Sequence, residues 1–260
     1  MTGRFPAPPL APPPATAVFA PRLLATIIVI LPLALIFGSL AGFAIGRVSA
    51  PPSSYRDQRL AQITTDLRRV EGDYLLAAGD SHVARWRARE LCGLPLVNAG
   101  IHGATTRDTD DILAELALPR PPRAIILTVG TNDANRKRFR DPPEASARFR
   151  HTFRSLLKRL SHRTDLVIVT GLPRMDTRQV VDFSAEAIAG IGSAAETSCL
   201  SNASCRVAGT FADDDALIDG LHLADYERAY RRIAPTLCAA LAGERPASSP
   251  PGQNAGADAP

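Results

Sequence analysis

The sequence predicts a three-layer α/β/α sandwich around a mostly parallel sheet of about five strands, preceded by one N-terminal transmembrane helix. Two observations carry the domain. Short β-rich runs alternate with longer amphipathic stretches, the pattern of strand–helix–strand crossovers. The runs, such as Ala124-Ile-Ile-Leu-Thr-Val129, are apolar throughout instead of alternating, which fits strands covered on both faces. A third observation carries the membrane helix: Leu23 to Ile45 is a stretch of 23 residues without a charge.

Taken in order, residues 1–22 are rich in Pro and Ala and predict a disordered tail. The span 23–45 is long enough, at about 1.5 Å per residue, to cross a hydrocarbon core of roughly 30 Å. Pro32 and several glycines inside it are tolerated in membrane helices. Val48-Ser49-Ala50 resembles a signal cleavage site, but Pro51 would follow the cut. A secretory signal also has a shorter apolar core, of about 7–15 residues, so an uncleaved anchor is expected. Residues 46–70 read as a linker and a juxtamembrane helix, with Leu60, Ile63 and Leu67 at helical spacing. The domain follows at 71–242. Its expected strands are Tyr74–Ala78, Leu96–Asn98, Ala124–Val129, Leu166–Thr170 and Arg206–Ala208. Its expected helices are Val83–Leu91, Thr109–Leu116, Pro143–Leu160, Gln179–Ala189 and Ala224–Leu241. Residues 243–260 predict a second disordered tail.

Charge and cysteines bound the setting. The formal charge is +4, of which residues 1–50 hold +3 as Arg4, Arg22 and Arg47. The rest of the chain, with 27 basic and 26 acidic residues, is nearly neutral and gives no electrostatic case for nucleic acid. Arg4 and Arg22 favour a cytoplasmic amino terminus, against Arg47, Arg56 and Arg59 beyond the span. This predicts a single-pass protein of the cytoplasmic membrane with an extracytoplasmic domain. Cys199 and Cys205 flank a polar loop suited to a short disulfide; Cys92 and Cys238 pair with each other or remain buried thiols. A disulfide would place the domain outside the cytoplasm. With no CxxC and no paired His, the spacing suggests no zinc site, and no cofactor or metal is expected.

Four polar clusters sit at the ends of these elements. Gly79-Asp80-Ser81 follows the first strand, Asn98-Ala-Gly-Ile-His-Gly103 the second and Gly130-Thr-Asn-Asp133 the third. Asp219-Gly-Leu-His222 precedes the last helix. In parallel α/β sheets such strand ends converge on one edge, where ligands bind. Each cluster alone also makes ordinary turns or caps. Together and in this order they resemble the four sequence blocks of the SGNH hydrolases, the GDSL esterase/lipase superfamily, over about residues 73–240. The resemblance implies a flavodoxin-like sheet and a serine ester hydrolase acting through an acyl-enzyme. It makes Ser81 the nucleophile, His222 its general base and Asp219 the group that orients His222. It assigns the oxyanion donors to the Ser81 N–H, the Gly103 N–H and the Asn132 side chain.

The remaining polar residues carry less. Asp80 is expected to stabilise its turn as an acceptor. His82 stands where many family members have an aliphatic residue; it either lines the pocket or, in the preferred reading, is an exposed, inert imidazole, and His102 has a similar status, orienting the loop that ends at Gly103. His151 and His162 read as surface residues, Arg136-Lys-Arg-Phe-Arg140 as a solvated loop and Trp86 as core. Asn202-Ala-Ser204 matches a glycosylation sequon that only a eukaryotic secretory route would use. The Arg-rich, Lys-poor composition suggests a bacterial source. The expected substrate is then an acylated, especially acetylated, cell-envelope carbohydrate or a lipid ester. Acyl transfer to a glycan and a non-catalytic envelope binding module are the alternatives.

Overall fold

The computed structural model describes residues 54–243. The expected tails, the span 23–45 and most of the linker lie outside the described residues. Among the described residues, no helix is long and apolar enough to cross a membrane.

Helix α1, Tyr55–Arg69, opens on a reciprocal capping box between Ser54 and Asp57 and buries Ile63 and Leu67. Strand β1, Leu75–Gly79, is buried at every position. It pairs in parallel with β3, Leu94–Gly100, on one side and with β4, Ala124–Thr128, on the other. Between β1 and β3 lie the one-turn helix α2, Ser81–Ala84, and a short strand β2, Glu90–Leu91. Helix α3, Thr106–Glu115, and helix α4, Pro142–Leu160, flank β4 in sequence. Strand β5, Val167–Val169, helix α5, Ala185–Leu200, strand β6, Cys205–Val207, and helix α6, Tyr226–Ala242, complete the domain. The strand order is β2-β3-β1-β4-β5-β6. Without β2, the parallel strands run 2-1-3-4-5, the flavodoxin-like order.

Alternate residues of β1 feed two cores. Leu76 and Ala78 pack with Ile63 of α1, Ile112 of α3, Phe149 and Phe153 of α4 and Ile191 of α5. Leu75 and Ala77 pack on the other face with Val83, Trp86 and, from α6, Tyr230, Ile233 and Leu237. Helices therefore cover both faces, which is why the strands carry no polar alternation.

The structure corrects three sequence expectations. The sheet has six strands, not about five. The extra one, β2, pairs antiparallel with β3 inside the stretch Val83–Leu91 expected to be helix. That helix ends after one turn, at Ala84, and the chain then runs into β2 and reverses at Cys92 and Gly93, both at positive φ (55° and 74°), in a two-residue hairpin. Trp86 is core as expected, but it lies beyond the helix, stacked on Tyr230 with ring centroids 3.9 Å apart. Finally, the helix expected at Gln179–Ala189 runs instead from Ala185 to Leu200, capped by the Ser184 hydroxyl. It packs so closely on α4 that a Cβ at Gly190 would stand 2.4 Å from the Ser146 hydroxyl oxygen.

Both candidate disulfides form. Cys199–Cys205 joins the end of α5 to β6, and Cys92–Cys238 ties the β2–β3 hairpin to α6.

Candidate active site

Parallel pairing places the first three clusters side by side. Gly79, the last residue of β1, is level with Gly100 on β3 and with Thr128 on β4. Ser81, Gly103 and Asn132 follow these three strand ends within a few residues.

The turn after β1 is built tightly. Gly79 sits at φ +154°, and a Cβ there would fall 2.1 Å from the Thr128 carbonyl oxygen. Asp80 is the N-cap of α2, where its Oδ1 accepts the His82 backbone N–H at 2.9 Å, as its sequence context suggested. Ser81 is thereby the first helical residue. Asn98 holds the helix from below: its Nδ2 donates to the carbonyls of Val83 and Trp86, while its Oδ1 accepts from the Gly100 N–H and from Arg59.

The fourth cluster reaches the same place from a small antiparallel turn bridged at Leu217 and Leu223. Asp219 Oδ1 accepts the backbone N–H groups of Leu221 (3.0 Å) and His222 (2.7 Å), closing the turn over Gly220 at φ +77°. Its other oxygen, Oδ2, lies 2.7 Å from His222 Nδ1, and His222 Nε2 lies 3.0 Å from Ser81 Oγ. This pattern assigns the proton to Nδ1 and leaves Nε2 to accept from the serine. Burial alone would raise the Asp219 pKa, but the imidazole and two backbone donors outweigh it and hold the carboxyl at about 2. Asp219 is thus a permanent anion beside His222. The constellation can accept a proton from Ser81 and stabilise the imidazolium that results.

The candidate oxyanion donors are held by one another's elements. Gly103, at φ +73°, exposes its backbone after β3. Asn132 lies in the 3-10 turn Thr131–Ala134 and donates from Nδ2 to the Ala104 carbonyl at 3.1 Å, linking its turn to the Gly103 loop. Asp133 accepts from the N–H and hydroxyl of Thr106 at the start of α3.

Three residues take places at the site that the preferred sequence reading did not give them. His82 contradicts its expectation: it is fully buried, not exposed. Its Nδ1 meets the Tyr226 hydroxyl at 2.9 Å, and its ring lies 5.8 Å, centroid to centroid, from that of His222. Burial first, then the charges of His222 and Arg85, lower its pKa to about 3, so it packs as a neutral ring. An aromatic at the start of α6 was the only signal for this partner. Tyr226 also accepts the Leu223 N–H at 3.3 Å. The third is Arg138, within the run expected to be a solvated loop. The run is largely exposed, yet Arg138 donates to the Gly103 carbonyl at 3.2 Å and pairs with Asp108 at 3.4 Å. His151 and His162 are exposed, as expected, and His102 is exposed at the rim, its ring 5.7 Å from that of Tyr55. Among the described residues, no group of three or more His, Cys, Asp or Glu is placed to hold a metal ion.

A family profile described as the GDSL-like lipase/acylhydrolase family matches residues 70–241. Among solved structures, the chain is similar to a Streptococcus pneumonia protein provisionally described as a platelet activating factor. That likeness has a TM-score of 0.58 at 18% identity over 80% of this chain and 99% of the other. It is also similar to a lipase/acylhydrolase from Enterococcus faecalis, with a TM-score of 0.54 at 20% identity over 66% of this chain and 96% of the other. At these identities the likenesses speak for the fold. No curated protein matches the sequence.

Proposed function

The chain belongs to the GDSL-like lipase/acylhydrolase family and is an esterase of that family; from that premise we propose that it hydrolyses its ester through an acyl-enzyme on Ser81. The observation that carries this reading is the continuous line of contacts from Asp219 through His222 to Ser81, at 2.7 and 3.0 Å. His222 Nε2 removes the Ser81 proton as Oγ attacks the ester carbonyl. The negative charge on the carbonyl oxygen is met by the N–H groups of Ser81 and Gly103 and the amide of Asn132. His222 returns the proton to the leaving alcohol, and the bond between the carbonyl carbon and that alcohol breaks. A water, activated in turn by His222, then releases the acid and restores Ser81.

For the substrate, the reading is deacetylation of an O-acetylated cell-envelope carbohydrate, with a lipid ester as its nearest rival. The support is location. The uncharged stretch 23–45 would anchor the chain, and two disulfides suit an oxidising compartment. An alkaline phosphatase fusion after Ala242 should be active if the domain lies outside the cytoplasm, and an inactive fusion would reverse that orientation. For the chemistry, stopped-flow hydrolysis of 4-nitrophenyl acetate should show a burst of one nitrophenolate per active site. Ser81→Ala should abolish both the burst and turnover; an unchanged rate in that variant would remove Ser81 from the mechanism.

A further inference from the structure

Among the described residues, Arg85 stands beside the Ser81 turn without a counter-charge. The α2 turn continues through it: Arg85 adopts helical φ and ψ, and its N–H bonds the Ser81 carbonyl at 3.1 Å. Residues four apart on a helix share a face, so Arg85 stands on the Ser81 side of α2. Its guanidinium lies within electrostatic reach of His82, His102 and Tyr226, and the His82 ring lies 5.8 Å, centroid to centroid, from that of His222. Yet its Nε is buried without a hydrogen-bond partner, and among the described residues the side chain makes no ion pair. Neither nearby carboxylate pairs with it: Asp219 is engaged by His222, and Asp80, which accepts the His82 N–H through Oδ1, forms no ion pair with Arg85.

A partly buried guanidinium that gives up water without gaining an anion is costly, and such groups are ordinarily paired. Guanidinium stays charged at any working pH and offers a planar fork that fits a carboxylate or phosphate. A second cation strengthens the same side. Arg59, held by the carbonyls of Asn98 and Gly100, also acts on His102.

We infer that Arg85 selects esters that carry an anionic group, a carboxylate or a phosphate, by binding that group beside Ser81 and His222. The inference deepens the esterase reading and rests on it. The substrate class is then an acylated acidic sugar or an acylated phosphate-bearing molecule, in preference to a neutral ester. Arg85 makes no covalent bond; it fixes the orientation of an ester that Ser81 attacks.

The test compares 4-nitrophenyl acetate with 3-carboxy-4-nitrophenyl acetate, and 4-nitrophenyl butyrate with mono-4-nitrophenyl succinate. Each pair differs by a carboxylate, on the alcohol side in the first and on the acyl side in the second. In Arg85→Gln the anionic-to-neutral ratio of kcat/KM should fall about tenfold in at least one pair, the scale of a charge-assisted hydrogen bond. Arg85→Lys should recover part of it, and about 0.5 M salt should erode the wild-type ratio. Ratios within about threefold of wild type in both pairs would overturn the inference. Competition by D-glucuronate and by glycerol 3-phosphate separates carboxylate from phosphate, with D-glucose as the neutral control. Should wild type hydrolyse none of the esters, the esterase reading fails by itself. The Arg85 site is then judged by titrating glucuronate and glycerol 3-phosphate into Ser81→Ala. Binding lost on adding Arg85→Gln supports it, and binding of neither anion contradicts it.

Discussion

The Tyr226 hydroxyl joins two parts of the site at the scale of single residues. It contacts His82, next to the serine, and accepts the N–H of Leu223, next to His222. Tyr226→Phe would leave two polar partners unmatched in a buried place, a loss of about 1–3 kcal/mol. Thermal melting should show that loss, and kcat should fall with it because His222 loses a support. Asn132→Ala removes one proposed oxyanion donor and should lower kcat by about 10²–10³ with KM little changed. Asp80 gives a pH signature. Complete burial raises its pKa to about 7, against an unfolded value near 3.8. Below about pH 4 both states hold the proton, and above about pH 7 neither does. Between them only the folded state holds it, so this carboxyl makes stability fall as pH rises through that window. His82 acts in the opposite sense below its unfolded value, because the folded state keeps it neutral down to about 3. Asp80→Asn isolates the first effect: its stability relative to wild type should rise from pH 4 to pH 7 in parallel denaturant titrations. A constant difference would contradict it. That Ser81, His222 and Asp219 come together was legible from their blocks. The inward turn of His82 was not, because its partner lies 144 residues away and neither residue belongs to a recognisable pattern.

Between elements, α2 lies tightly against β3. A Cβ at Gly100 would stand 2.2 Å from the Ala84 backbone N, so Gly100→Ala must push α2 off the sheet and carry Ser81 with it. The expected outcome is a folded or partly folded protein whose activity falls far more than its melting temperature, read by esterase assay beside circular dichroism. Three of the five expected helices and all five expected strands correspond to observed elements, because apolar runs and helical spacing report burial directly. The misplaced helix at Gln179–Ala189 has a physical cause. Ala185–Leu200 is rich in Ala and contains Gly190 and Gly192, so its buried stripe of small residues gives little periodic signal. The β2–β3 hairpin escaped for another reason: Cys92 adopts a positive φ that a non-glycine residue seldom takes.

For the whole molecule, Cys92–Cys238 spans 146 residues and ties the first hairpin to the last helix, whereas Cys199–Cys205 closes a loop of only 6. By loop-closure entropy the long bridge is worth about 5 kcal/mol and the short one about 2 kcal/mol. Cys92→Ser with Cys238→Ser should therefore lower the unfolding free energy more than the Cys199/Cys205 double variant, measured in urea without reductant. Spacing alone singled out the short loop pair; the long one depends on the wrap of α6 beneath the hairpin, which no local pattern reveals. The account as a whole turns on Ser81 being activated by His222. Fluorophosphonate labelling followed by intact-mass and peptide mass spectrometry tests this directly. Wild type should gain a single adduct on Ser81, Ser81→Ala none, and His222→Ala should react far more slowly. Labelling at another residue, or equal labelling of Ser81 in wild type and His222→Ala, would contradict it.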